Sequence, residues 1–501
     1  MFQKLKPLYF WFKQKNRIIY LIYGALALVV LFPIIVKSGY VFAMDMVFTP
    51  HLRWPDIFNI PGVFLYLLNF LLPSDIIQKI ILFLILFLSG VGMHHLIPSK
   101  SELPKYFAGI FYIFNPFVYS RFLFGHLWIL MAYALIPFAV KAIFDFFDKT
   151  NFRNTLKLSF WFILIGLVNH HFIFLIFLFF GIAFLVYFFS TLSFSPLSKG
   201  RYSLSFSLLQ KGKLKGNKEI FKIFKYAILI ILIFSIFSSW WIVPYFNISS
   251  FRGEFIQKSI GQDDFNVFQT ATDDKYGVLI NVAALYGFWG DRMDRYTVPK
   301  DIMPYWPILF LIIFSLVIFG AINSFKKNKF ITFTFIITSI VAFILSVGIA
   351  YKPFVPIINF LYDKIFIFKG FREPQKFSAL LVLAYAYFGA IGMNKILIQE
   401  FKNFKIQKLV NLKIFLAAFF IALPFLYSPL MIWGLKGQFY SSHYPQEWFE
   451  ANEIFNKDED NFKILFFPWH QYMSFSFVRN KAFANPAPLF FDKKIISGDN
   501  R

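Results

Sequence analysis

A carboxylate standing alone in an apolar stretch is a candidate general base, and Asp45 is one: it is the only charged residue in Val41-Phe-Ala-Met-Asp-Met-Val-Phe-Thr-Pro50. Such a group can take a proton from a hydroxyl as a nucleophile forms. The same residue also suits the cap of a helix that follows. His51 and Arg53 come close behind it. Arg121 and His126 stand together in Asn115-Pro-Phe-Val-Tyr-Ser-Arg-Phe-Leu-Phe-Gly-His126. A guanidinium grips a phosphate as a fork, and an imidazole donates a hydrogen bond or ligates a metal. Against that stands a plainer reading, in which Arg121 snorkels to the interface and His126 is an interfacial polar residue.

Three further groups belong to the inventory. In Phe368-Lys-Gly-Phe-Arg-Glu-Pro-Gln-Lys-Phe377, Pro374 suits a helix start. The positive end of that helix, beside Arg372, Glu373 and Lys376, then offers an anion site, or else the basic residues simply meet lipid headgroups. Asp263 and Asp264 supply paired carboxylates from a long polar loop. Asn169-His170-His171 interrupts an apolar run, but adjacent histidines on a helix point in different directions, so a metal site there needs irregular backbone. The P-loop, the Rossmann glycine pattern, the G-x-S-x-G elbow and H-E-x-x-H are all absent from the sequence, which argues against ATP-driven transport and common hydrolase layouts. With no cysteine in the chain, neither disulfides nor thiolate metal sites arise.

The elements that must position these residues are helices in lipid. Hydrophobic residues make up 58% of the 501 and charged ones 15%, with 76 phenylalanines, too little polar surface for a water-soluble fold. Eleven apolar segments fall near 18-36, 76-97, 106-119, 127-144, 158-168, 172-190, 226-243, 305-323, 331-349, 377-396 and 414-433. Most approach the roughly 20 residues that a span requires; the third and fifth are short. The first reads as a retained helix rather than a cleaved signal. The net charge of +24 is segregated into short lysine blocks between apolar runs, the pattern that encodes membrane topology rather than nucleic-acid binding.

With the N-terminus inside, segments 1-17, 98-105, 145-157, 191-225, 324-330 and 397-413 hold about 25 lysines and arginines, and the C-terminus falls outside. The outer side then receives 37-75, 120-126, 244-304, 350-376 and 434-501. Residues 1-434 are thus expected to form the transmembrane domain and 435-501 a small outer α/β extension. Within the first outer loop, Pro61 to Leu72 is too short to span and reads as an interfacial or re-entrant helix. Val278 to Phe288 and Glu447 to Asn456 read as helices, and Phe462 to Phe467 as a strand.

Taken together, the isolated Asp45, the Asn115 to His126 segment, the Gln262 to Trp289 loop and Arg372-Glu-Pro-Gln-Lys-Phe377 resemble the GT-C superfamily of polytopic membrane glycosyltransferases. The nearest branch is the archaeal and bacterial one similar to the mycobacterial arabinofuranosyltransferases and the YfhO-like proteins. The resemblance implies an all-α polytopic membrane fold. It also implies transfer of a sugar from a polyprenyl-phosphate donor to a glycan, lipid or protein acceptor at the outer face, among membrane lipids. Asp45 would be the base, with Asp263 or Asp264 as second carboxylate, and Arg121 and Arg372 would hold the donor phosphate. His126, His170, Glu373 and Lys376 fall among the substrate-binding candidates. The superfamily often pairs its first-loop aspartate with a second acid, where this chain has Met46; a divalent metal is compatible with the likeness but not required by any spacing. The rival readings are a flippase or other transporter for lipid-linked glycans, and a non-catalytic scaffold in envelope assembly.

Overall fold

The structure is a computed structural model and describes residues 17–55, 59–192, 213–246, 262–399 and 407–498. The basic N-terminal residues through 16, the stretch 193–212 that holds Lys211, and residues 247–261 of the long loop lie outside the described residues, as does the side chain of Asp263.

The chain is mostly helical. Among the described residues, eight helices are long and apolar enough to cross a membrane: Arg17–Ile35, Ser74–Leu96, Leu127–Asp148, His170–Thr191, Lys218–Pro244, Trp306–Lys327, Lys329–Ala350 and Pro374–Leu397. Each matches one of the expected segments. The other three expected segments depart from a full span for local reasons. The 106-119 run breaks into helices Glu102–Ile113 and Pro116–Leu123. Pro116 has no N–H to continue the ladder, and the Asn115 side-chain amide donates instead to the carbonyls of Phe111 (3.0 Å) and Tyr112 (3.1 Å).

The 158-168 run belongs to a 17-residue helix, Phe152–Val168. It ends at Asn169, whose extended backbone and side-chain oxygen, accepting from the N–H groups of His171 and Phe172, start the next helix. The stretch 158-190 is therefore two helices, where the sequence placed two segments. The last run ends at Tyr427, because Pro429 disfavours helical backbone at the residue before it. Trp433, Gly434 and Leu435 then turn left-handed.

The chain packs as two compact units, one of residues 1–88, 118–131 and 429–501 and the other of 89–117 and 132–428. In the first, Trp433 stacks on Phe32 of helix Arg17–Ile35 with ring centres 4.8 Å apart. Strand Tyr40–Val41 pairs antiparallel with Ser441–Ser442, Lys463–Leu465 pairs parallel with Lys494–Ile496, and Tyr472–Phe475 pairs antiparallel with Lys481–Ala484. Helix Gln446–Lys457 lies in the same region, close to the expected helix and strand. The C-terminal residues Tyr444, Val478, Phe483, Ala487, Phe490 and Phe491 form a buried core, which Phe42 from the N-terminal segment joins.

In the second unit, helices Trp306–Lys327 and Ser378–Asn394 cross at two glycines. A Cβ on Gly320 would lie 1.8 Å from the Phe388 carbonyl oxygen, and one on Gly392 2.4 Å from that of Leu316. Only glycine allows backbones this close. The crossing fixes the helix that carries the Arg372 to Lys376 segment at its start. Gly320→Ala should therefore lower the thermal midpoint in detergent, destabilising by about 1–3 kcal/mol through overpacking. Gly181→Ala, where a Cβ meets nothing within 4 Å, should change stability by no more than about 0.5 kcal/mol. Equal midpoints for the two variants would contradict this crossing.

Candidate functional site

Asp45 sits at the tip of a tight turn in which Ala43 and Met46 exchange backbone hydrogen bonds (3.3 and 3.0 Å). Four separate segments hold that turn. Upstream, the buried Gln78 amide on helix Ser74–Leu96 accepts from Val41 N–H (2.9 Å) and donates to Val41 O (2.7 Å), acting as a strand partner. Downstream, the Tyr444 hydroxyl donates to Phe48 O (2.9 Å), and Ser74 donates to Thr49 O (2.6 Å). At the tip, Asp45 N–H donates to Phe124 O (2.9 Å) and Ala484 N–H to Met44 O (2.8 Å). Gly125, with φ of 76°, brings its backbone so near that a Cβ would lie 2.6 Å from Met46 N. A side chain at residue 125 would push the turn away.

Behind the carboxylate lies a chain of side chains. Arg121 Nη1–H donates to His126 Nδ1 (2.9 Å), His126 Nε2–H donates to Asp45 Oδ2 (3.1 Å), and the Tyr472 hydroxyl donates to Asp45 Oδ1 (2.8 Å). Arginine has no acceptor, so the imidazole nitrogen facing it must present a lone pair, and the ring proton sits on Nε2. That is the tautomer that can donate to a carboxylate. Arg121 is fully buried and His126 nearly so, whereas 41% of the Asp45 side chain is exposed. The arrangement thus places two buried groups behind a carboxylate that faces outward, each of its oxygens receiving one hydrogen bond.

The sequence expectations divide accordingly. Asp45, Arg121 and His126 are brought together. Asp45 caps no helix: the following helix, Ile60–Asn69, is capped by Asn59. Arg121 neither snorkels nor reaches out to a phosphate; its guanidinium lies against His126. Tyr472 escaped the sequence reading, since it lies 427 positions from Asp45 and only the folded C-terminal strand carries it there. Arg53 pairs with Asp492 at 3.4 Å. Burial pushes the Asp492 carboxyl up, but hydrogen bonds from Asn452 and Asn456 and the Arg53 charge outweigh it and hold it below the usual carboxylate range.

The remaining candidates belong to the second unit. Arg372 lies over the Phe268 ring at 4.5 Å, with Nη1 3.6 Å from Asp264 Oδ1, and keeps 28% of its side chain exposed. Glu373 and Lys376 are buried, their charged ends 3.9 Å apart. His170 stacks on Trp241 at 4.2 Å, while His171 Nε2–H donates to Gly370 O (2.8 Å). The two histidines diverge as expected. Among the described residues, no three of His, Cys, Asp and Glu converge on a metal position.

No known protein-family profile matches the chain, and neither does any curated protein. Among solved structures it is similar to the apo crystal structure of the Archaeoglobus fulgidus oligosaccharyltransferase, with a TM-score of 0.43 and 10% identity over 92% of this chain. The chain spans 63% of that protein's length. So loose a likeness assigns neither activity nor substrate.

The Arg121 contact makes a measurable statement about one proton. In nitrogen-15 spectra of histidine-labelled protein, the signals that disappear in His126→Gln should be those of an Nε2-protonated ring. A ring protonated on Nδ1 would contradict the contact.

Proposed function

We propose that the chain is a membrane glycosyltransferase that moves a sugar from a polyprenyl-phosphate donor to an acceptor hydroxyl at the outer face, with Asp45 as general base. The observation that carries the reading is the Asp45 carboxylate itself, outward-facing and oriented from behind by the donors His126 and Tyr472. Each carboxylate oxygen has lone pairs beyond the one its donor occupies, and these can accept the proton of an acceptor hydroxyl.

The step balances without a nucleotide or a metal. The acceptor O–H proton passes to Asp45 while its oxygen forms a bond to the anomeric carbon. The bond from that carbon to the phosphate oxygen breaks, and the polyprenyl phosphate leaves with the electron pair. The anomeric configuration inverts. The energy comes from the donor bond, in keeping with a sequence that has no nucleotide-binding loop. Arg121 and His126 act as positioning residues.

The charge distribution along the sequence supports an inside N-terminus and an outside C-terminus, and hence chemistry on the outer side. Polyprenyl-linked sugars fit that place because the lipid brings the activated sugar to the membrane surface. A glycan, a lipid or a protein each offers the hydroxyl or amide that the base would serve.

The test is sugar transfer in membranes supplied with radiolabelled polyprenyl-phosphate sugars. Asp45→Asn, at equal abundance, should lose roughly 10²- to 10⁴-fold in rate, the usual contribution of a positioned base. Tyr472→Phe, which removes one donor and keeps the ring, should lose roughly 10- to 100-fold, since a hydrogen bond to a charged group is worth about 1.5–3 kcal/mol. Undiminished transfer by Asp45→Asn would reject the base, and no transfer by wild type with any donor would reject the reaction.

A further inference from the structure

The loop that leads into Tyr472 exposes two large aromatic rings. Phe467 is 65% and Trp469 43% exposed, and their ring centres lie 6.0 Å apart at an interplanar angle of 44°. The loop is pinned at both ends: Phe466 N–H donates to Ile496 O (2.9 Å), and Asn485 N–H to Gln471 O (2.8 Å). Between these points His470 N–H closes a turn on Pro468 O (2.9 Å). Trp469 is three residues from Tyr472, so their Cα atoms are at most about 11 Å apart. Tyr472 in turn touches Asp45. The two rings thus stand on the loop that leads directly into the residue that hydrogen-bonds Asp45.

We infer that Phe467 and Trp469 form a stacking platform for the acceptor, and that the acceptor is a saccharide chain. The inference rests on the reading of Asp45 as the base. A sugar ring presents a C–H face and a hydroxyl edge. The face packs against an aromatic ring, while the edge turns a hydroxyl towards a carboxylate beside it. A platform on the loop that precedes Tyr472 would engage the rings of an extended saccharide while one of its hydroxyls reaches Asp45. Two rings set at an angle also suit successive sugar units of one chain.

The test uses the full chain in nanodiscs and neutral linear hexasaccharides of gluco, manno and galacto configuration. Equilibrium binding should appear for at least one of them in wild type and weaken about tenfold in Trp469→Ala and in Phe467→Ala, as for an aromatic contact at the centre of an interface. Trp469→Phe should fall between wild type and Trp469→Ala. Asp45→Asn should lose transfer yet still bind the saccharide, and adding Trp469→Ala to it should weaken that binding by the same factor as in wild type, which separates the platform from the base. Should Asp45→Asn keep full transfer, the base assignment fails and the platform loses its premise, even if saccharide still binds. Absence of binding by wild type to every saccharide, or equal affinity in Trp469→Ala, overturns the platform. So does fluorescence quenching by brominated lipids that is lost in Trp469→Phe, since that ring would then lie in the bilayer.

Discussion

The contact between the Arg121 guanidinium and His126 Nδ1, 2.9 Å long and buried, decides the rest of the site. A group that can only donate faces one side of an imidazole, so the other side of that ring must carry the proton. That proton points at Asp45. Were residue 121 an acceptor, the ring could turn its lone pair to the carboxylate and repel it. Burial strengthens the polarity of both links, because a hydrogen bond in a low-dielectric interior is screened less than one in water. The outer end of the chain stays in contact with solvent, where a carboxylate can exchange protons with what arrives.

Such a chain of contacts works only if the loop that carries Asp45 is held still. The loop has almost no regular structure of its own, so its backbone groups are taken up by partners from distant parts of the sequence. Gln78 acts as a substitute strand, Phe124 O receives the Asp45 amide, and Ala484 donates to Met44. Gly125 is the steric condition for all of these, since no other residue lets the two backbones approach so closely. The aromatic core around Phe42 and Tyr444 supplies the apolar burial that holds the strand bearing Tyr472 against the same loop.

Much of this was legible in the sequence. Long apolar runs and segregated lysines announced membrane helices, and eight of them form where the hydropathy placed them. Asp45, Arg121 and His126 stood out because polar residues in apolar surroundings are costly to keep. Three things were hidden. Asn115 breaks a helix through side-chain hydrogen bonds that hydropathy does not register. The role of Arg121 was misread, because a charge near a membrane edge looks the same in sequence whether it reaches outward or is buried behind a histidine. Tyr472 gave no signal at all, for its partner is 427 residues away and strand Tyr472–Phe475 is only four residues long.

The measurement that bears most directly on the central claim is chemical rescue. Replacing Asp45 by alanine removes the carboxylate and leaves a space that formate can enter. If Asp45 is the base, added formate restores sugar transfer to Asp45→Ala in proportion to its concentration, and has no such effect on Tyr472→Phe, which keeps the carboxylate. Transfer by Asp45→Ala at the wild-type rate without formate would contradict the account.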